Sequence, residues 1–397
     1  MDILRIASLF VGALGLVPRL LAADLTGVVF LDRNGNGRRD PGEPGVAGVA
    51  VSDQVRVVQT GPDGSFRIVA SAGFGAVFVS VPTGYRVVGS FWKPVSATAP
   101  GSIEFPLRPA PAPAEFLFVH ASDTHVSSAS RPRTARLRAL VDSIKPSLTI
   151  ITGDLVRDAL RVSEAEATGY YEMFQAEAAR FTGPLYTVPG NHEIFGIERD
   201  TSHVSADHPL YGRAMYRHYR GPDYYSFNYG GIHFVGLNSV DIDDQSYYGH
   251  VDSVQAAWLV QDLAIVPPQT PVVTFNHIPF FTAVETVNGY RGGPPAATAI
   301  TVRGKTAFRH AVSNAGDIIR LIKGHPFPMA LGGHMHVREQ LKYEGVPTRF
   351  YQTAAVVGPS ESPGLSLPSG IVVYRVRAGR IDDGKFVALG LPAPAEH

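Results

Sequence analysis

Five short segments carry the side chains best suited to chemistry: Ser122-Asp123-Thr124-His125, Gly153-Asp154, Gly190-Asn191-His192-Glu193, Asn276-His277 and Gly333-His334-Met335-His336. Each joins Asp, Asn or His to a point where the chain must change direction. Glycine precedes the polar residue in three of them, freeing the backbone to turn sharply. An isolated Asp-x-His or His-x-His arises by chance, and a lone buried histidine is usually a hydrogen-bonded core residue. Five such segments in one chain point instead to a metal cage assembled from separate strands. There is no cysteine, so thiol catalysis and disulfides are excluded, and a transition metal must be held by nitrogen and oxygen.

Elements able to position such a cage follow from the apolar pattern. From Glu115 onward, apolar runs at 116–119, 148–152, 185–188, 233–237 and 272–275 read as strands and alternate with helical segments, the signature of an α/β domain. The chemical segments stand where its strands end, which is where ligand groups gather in open α/β sheets. Leu137, Leu140, Val141 and Ile144 recur at helical spacing. Ser163 with Glu166 forms a capping box that opens a second helix bearing Tyr170, Met173, Phe174 and Phe181. A third carries Trp258, Leu259 and Leu263. All three apolar stripes read as core.

Residues 24–108 have a different rhythm. Short β-branched runs at 27–31, 55–59, 66–69, 76–81 and 85–88 are separated by turns such as Gly61-Pro62-Asp63-Gly64, the pattern of a small all-β sandwich. Alternating proline and alanine at 109–114 forms a short stiff linker. The α/β domain is then expected over 115–380, with a C-terminal extension at 381–397. Residues 1–23 read as an export signal, with Arg5, an apolar run from Ile6 to Val17 and small residues before Asp24, which places the protein in the periplasm or outside the cell. A retained anchor or a short buried helix is the alternative, and the run is too short for a comfortable membrane span.

With 397 residues, 45% of them hydrophobic and 18% charged, the chain is an ordinary globular protein. Its 35 basic and 35 acidic side chains balance, which argues against a nucleic-acid scaffold. It is expected to act as a monomer. Residues 32–43 form a calcium-loop pattern: Asp32, Asn34, Asn36, the carbonyl of Arg38, Asp40 and Glu43 fall on alternating positions and the terminal acid, with Gly37 at the tight turn. A polar turn without an ion is the alternative.

The five segments together resemble the signature of the calcineurin-like metallophosphoesterases, and the resemblance spans residues 115–380. It implies a two-sheet α/β sandwich preceded by a β-module like that attached to some bacterial relatives. By similarity Asp123, His125 and His336 would hold one metal ion, Asn191, His277 and His334 a second, and Asp154 would bridge them. Two such ions, roughly 3.5 to 4 Å apart, acidify a shared water, and the resulting hydroxide attacks phosphorus in a phosphate mono- or diester. His192 would serve as general acid, or alternatively only hydrogen-bond to its loop. The tyrosine that purple acid phosphatases carry shortly after the bridging aspartate is absent from Asp154-Leu155-Val156-Arg157-Asp158, and Asn276 stands where many relatives have a second histidine. The donor set suits manganese, iron or zinc better than calcium.

Two insertions are expected to shape the substrate site. Residues 195–225 include Tyr211, Arg213, Tyr216, Arg217, Tyr219 and Arg220, whose arginines would bind a second phosphate and whose tyrosines would stack on a base or sugar, or which form a solvated loop packing its aromatics on the domain. The substrate is expected to be a phosphate ester such as a nucleotide or an envelope phosphoester. Residues 283–306 read as a mobile flap. His203, His208, His218, His250 and His325 have no matched spacing and are expected to bind no metal. A cyclic-nucleotide phosphodiesterase is the rival enzyme, and an inactive cell-envelope binding protein the rival of another class.

Overall fold

The computed structural model describes residues 24–69, 73–95, 102–284, 299–362 and 365–392. The expected leader at 1–23 lies outside them, as does most of the expected flap, whose end is the described hairpin Ala299–Val302 and Lys305–Phe308.

Residues 25–109 form an all-β region of two four-stranded sheets. One orders Ser65–Ile68, Leu25–Leu31, Ile103–Pro109 and Tyr85–Val87, and the other Val57–Gln59, Ala50–Ser52, Ala76–Val79 and Trp92–Pro94. The turn before Ser65 closes through Gly64 N donating to Gly61 O at 2.9 Å, with Gly64 at φ 78°.

The α/β region is built on two six-stranded sheets. In the first, Leu185–Thr187, Leu148–Ile151 and Glu115–Ala121 are parallel, and Gly370–Arg377 joins antiparallel. In the second, Ile232–Gly236, Val272–Phe275, Met329–Gly332 and Arg349–Gln352 are parallel, flanked by antiparallel Tyr225–Tyr229 and Glu339–Lys342. Strand alternation sorts the side chains by face. Phe118 and Ile150 point into the space between the sheets, where Phe118 meets Phe234 edge-on with centroids 5.9 Å apart. Val119, Ala121 and Ile151 point outward, beneath the helices Arg131–Ile144 and Glu164–Ala178. Ser163 caps the latter by accepting from Glu166 N, while the Glu166 carboxylate takes Tyr170 OH instead of closing the box.

The β region packs on the α/β region by interlocking polar and aromatic groups, at the loop holding Asp223 and the helix Ser253–Ala264. Gln54 Nε2 donates to Asp223 Oδ1 at 2.9 Å, Trp258 Nε1 donates to Ser52 Oγ at 3.1 Å, and Phe78 lies edge-on to Trp258. Beyond Ile381, Lys385–Ala388 pairs with Gly370–Arg377, so part of the expected C-terminal extension belongs to the first sheet.

Candidate metal centre

All five chemical segments follow the C-terminal ends of parallel strands. Three leave the first sheet after Ala121, Ile151 and Thr187, and two leave the second after Phe275 and Gly332, so their side chains meet across the edge of the sandwich. Glycine serves close approach as well as turning. A Cβ on Gly190 would overlap the Asp154 carboxylate, and one on Gly333 would overlap Ser122 Oγ.

The structure brings the predicted residues together. Ligand-capable atoms of Asp123, His125, Asp154 and His336 lie within 4.8 Å of one another, as do those of Asp154, His277 and His334, so Asp154 belongs to both groups. Asn191 Oδ1 completes the second at 3.1 Å from His277 Nε2. Asp154 Oδ2 stands 3.2 Å from His277 Nε2 and 3.5 Å from His125 Nε2, and Asp123 Oδ1 is 3.3 Å from His336 Nε2.

Backbone carbonyls aim the imidazoles. His277 Nδ1 donates to Thr152 O at 2.7 Å, which turns Nε2 into the cluster. The carbonyl of Arg157 receives Nδ1 of both His125, at 3.3 Å, and His192, at 2.7 Å, so both Nε2 atoms face Asp154. His192 N–H donates to Asp154 Oδ1 at 3.0 Å.

Two observations favour a cationic occupant. Asp123 Oδ1 and His125 Nε2 are buried with no hydrogen bond, an arrangement that is costly unless something binds there. Asp123, His125, Asp154, His334 and His336 all adopt positive φ, between 38° and 72°. Each such non-glycine conformation costs roughly 1 to 3 kcal/mol and persists where surrounding structure imposes it. The donor set of carboxylate, amide and imidazole fits transition-metal ions. Burial raises the Asp123 carboxyl, but His336 and His277 outweigh it and leave the group at about 2. Burial also lowers His125 to about 3, keeping its ring neutral with a lone pair to offer.

Sequence reasoning missed three contributors. Glu193 is fully buried and ties the loops together, accepting from Leu155 N and Val156 N with one oxygen and from Gly190 N with the other. Burial and the Asp154 charge push it up to about 8, against the pull of those amides. His310, reached through the hairpin 299–308, places Nδ1 2.6 Å from His334 Nε2, with the rings stacked at 4.9 Å. With His334 Nε2 donating to His310, His334 Nδ1 is left facing His277 Nε2 at 3.1 Å. Tyr247 stands edge-on to His334, its centroid 6.1 Å away. Position within the five segments singled out Glu193 alone.

The arginines expected as phosphate binders are occupied elsewhere. Arg213 pairs with Asp241 and Asp252, Arg217 with Asp223, and Arg220 lies over the Phe174 ring. Tyr216 is buried against Thr187 and Tyr219 stacks on Tyr171, so this insertion packs on the domain. His208 and His250 pair with Glu164 and Asp241, away from the cluster. Asn276 donates to Ile278 O within its own loop.

In the calcium-loop pattern, Asp32 accepts from Gly35 N and Gly37 N, and Glu43 from Arg33 N and Asp40 N. Asn34 and Asn36 donate to Asp40, and Asn36 Oδ1 accepts from Arg38 N.

A two-sheet α/β sandwich with a carboxylate-imidazole cluster at its strand ends defines a hydrolase of metal-binding type. The calcineurin-like phosphoesterase family model matches residues 116–338, more than half of the 397-residue chain, and a model for the N-terminal region of such phosphoesterases matches residues 33–109. The chain belongs to the calcineurin-like phosphoesterase family. No curated protein matches it. Among solved structures, a dimetal phosphatase from Danio rerio is 14% identical, with a TM-score of 0.46 over 69% of this chain and 96% of that one. An anchor in the inner membrane complex of Plasmodium is 10% identical, with a TM-score of 0.42 and coverage of 71% and 87%. A phosphopantetheinyl hydrolase from Mycobacterium tuberculosis is 14% identical, with a TM-score of 0.36 and coverage of 61% and 91%.

Proposed function

We propose that this phosphoesterase hydrolyses phosphate mono- or diesters at a dinuclear centre of manganese, iron or zinc. Asp123, His125 and His336 hold one ion, Asn191, His277 and His334 hold the other, and Asp154 is shared. The observation that carries the reading is the convergence of these seven residues around two buried ligand atoms that make no hydrogen bond, Asp123 Oδ1 and His125 Nε2, 4.0 Å apart. The ions supply Lewis acidity, making water a stronger acid and offsetting charge on the phosphoryl oxygens.

The protein's own part is placement and proton delivery. The carbonyls of Thr152 and Arg157 fix the rings of His277, His125 and His192. In its imidazolium form, with Nδ1–H bound to Arg157 O and Nε2–H toward the cluster, His192 gives the Nε2 proton to the departing alkoxide as the P–O bond breaks; water oxygen joins phosphorus, and the proton that water releases passes to solvent, from which His192 is reprotonated. Protein supplied with manganese hydrolyses a chromogenic phosphate ester, and His334→Ala abolishes turnover with the fold retained. Full activity in His334→Ala overturns the proposal.

The 32–43 loop is proposed to bind structural calcium through Asp32, Asn34, Asn36, the Arg38 carbonyl, Asp40 and Glu43. The buried Asp32 and Glu43 carboxylates support this. Calcium raises the melting temperature of the native chain and leaves an Asp32→Ala, Glu43→Ala variant unmoved; equal melting of the native chain with and without calcium removes the site. The leader-like residues 1–23 support a periplasmic or secreted location, tested by fractionating cells that express the full chain.

A further inference from the structure

A cavity of about 740 Å3 lies at the end of the second sheet opposite the metal centre. Pro271, Met329 and Arg349 line it, at the starts of the parallel strands whose far ends include those leading to His277 and His334. The helix Ala315–Ile322 contributes Ile319, and the strand Arg380–Ile381 of the first sheet contributes Ile381. The floor is apolar: Met329 and Phe327 are buried, while Val346 at the margin is 42% exposed. This volume falls within the range of small-molecule sites.

The arginine and lysine side chains in the lining make its formal charge positive. Arg320, Lys323, His325, Arg349 and Arg380 line the cavity, and no aspartate or glutamate does so among the described residues. That is a local excess in a chain whose formal charge is zero. Arg320 and Arg349 have surface partners in Asp317 and Asp383, pairings of the kind that contribute little. Lys323 and Arg380 have no carboxylate within 4.0 Å among the described residues, and His325 Nδ1 is buried without a hydrogen bond. An apolar floor beneath a rim with two cations unpaired among the described residues, Lys323 and Arg380, complements a molecule with a hydrocarbon body and an anionic end. The chain's own apolar run from Ile6 to Val17 is a poor match, since Arg5 and Arg19 flank it.

We propose that this cavity binds a single-chain anionic amphiphile of the fatty-acid type. Its hydrocarbon chain lies on Ile319, Val346 and Ile381, backed by the buried Phe327 and Met329, and its carboxylate meets Lys323 and Arg380. The site is separate from the metal centre, so it does not depend on the phosphoesterase reading.

Isothermal titration of the full chain tests this with dodecanoate, decanoate and dodecyltrimethylammonium, all below their micelle concentrations. Dodecanoate binds one to one, and decanoate, shorter by two methylenes, binds roughly tenfold more weakly. Dodecyltrimethylammonium, with a same-length chain and opposite charge, gives no saturable binding. The exposed double variant Lys323→Glu, Arg380→Glu loses at least tenfold in dodecanoate affinity while phosphoesterase activity stays unchanged. Absence of dodecanoate binding, equal binding of the cationic amphiphile, or indifference to the double variant overturns the proposal.

Discussion

His310 offers a quantitative test of how the second ligand group is held. Its Nδ1 lies 2.6 Å from His334 Nε2 and its ring stacks on His334 at 4.9 Å; with His334 Nδ1 turned to an ion, His334 Nε2–H is the donor to His310. One hydrogen bond contributes about 1 kcal/mol net, and a stacked ring pair about 0.5 to 1.5 kcal/mol. Losing both in His310→Ala frees His334 to rotate and costs about 1.5 to 2.5 kcal/mol of metal affinity, roughly 10- to 70-fold. Partners that orient metal ligands elsewhere produce losses of about 10- to 100-fold. Chelator competition, read ion by ion, shows this loss for one of the two ions and less than threefold for the other. His310→Asn, which keeps an acceptor near the Nδ1 position, recovers part of the affinity. Unchanged affinity for both ions in His310→Ala refutes the reasoning.

Gly190→Ala pushes a Cβ into the Asp154 carboxylate and lowers kcat roughly hundredfold, the effect of a displacement of about 1 Å, with the circular dichroism spectrum preserved. Asp223, buried and bound by Arg217, Gln54 and Asn238, has its carboxyl lowered to about 2 despite burial. Because the folded value lies below the ordinary 3.8, its contribution of about 2 kcal/mol is present above that pH and disappears as pH falls from about 4 toward 2. Urea unfolding across that range shows the loss in the native chain, and Asp223→Asn removes this component of the pH dependence. Gln54→Ala leaves Asp223 short of one donor and destabilises by about 1 to 3 kcal/mol, seen as a lower urea midpoint.

The clustering of these carboxylate, amide and imidazole side chains was legible because each segment carried two constraints in adjacent residues, a ligand-capable type and a turn. The positive φ of Asp123, His125, Asp154, His334 and His336 is the structural form of the second. Val272–Phe275 was readable as a short apolar run, and Arg131–Ile144 from its helical spacing. Met329–Gly332 carries too little pattern in four residues to stand out. His310 reaches His334 across 24 residues through a hairpin, and Gln54 reaches Asp223 across 169, so neither pairing leaves a periodic trace. Arg213 and Arg217 looked available for phosphate because charge pairing depends on tertiary partners: Arg213 uses Asp241 and Asp252, 28 and 39 residues away.

Metal content and turnover measured together on the native chain and on Asp154→Asn test the shared-carboxylate account most directly. The native protein carries two transition-metal ions per chain and hydrolyses a phosphate ester, while Asp154→Asn, equally folded, loses metal and turnover together. A metal-loaded native chain with no phosphoesterase activity, or an Asp154→Asn protein retaining both ions and full activity, contradicts it.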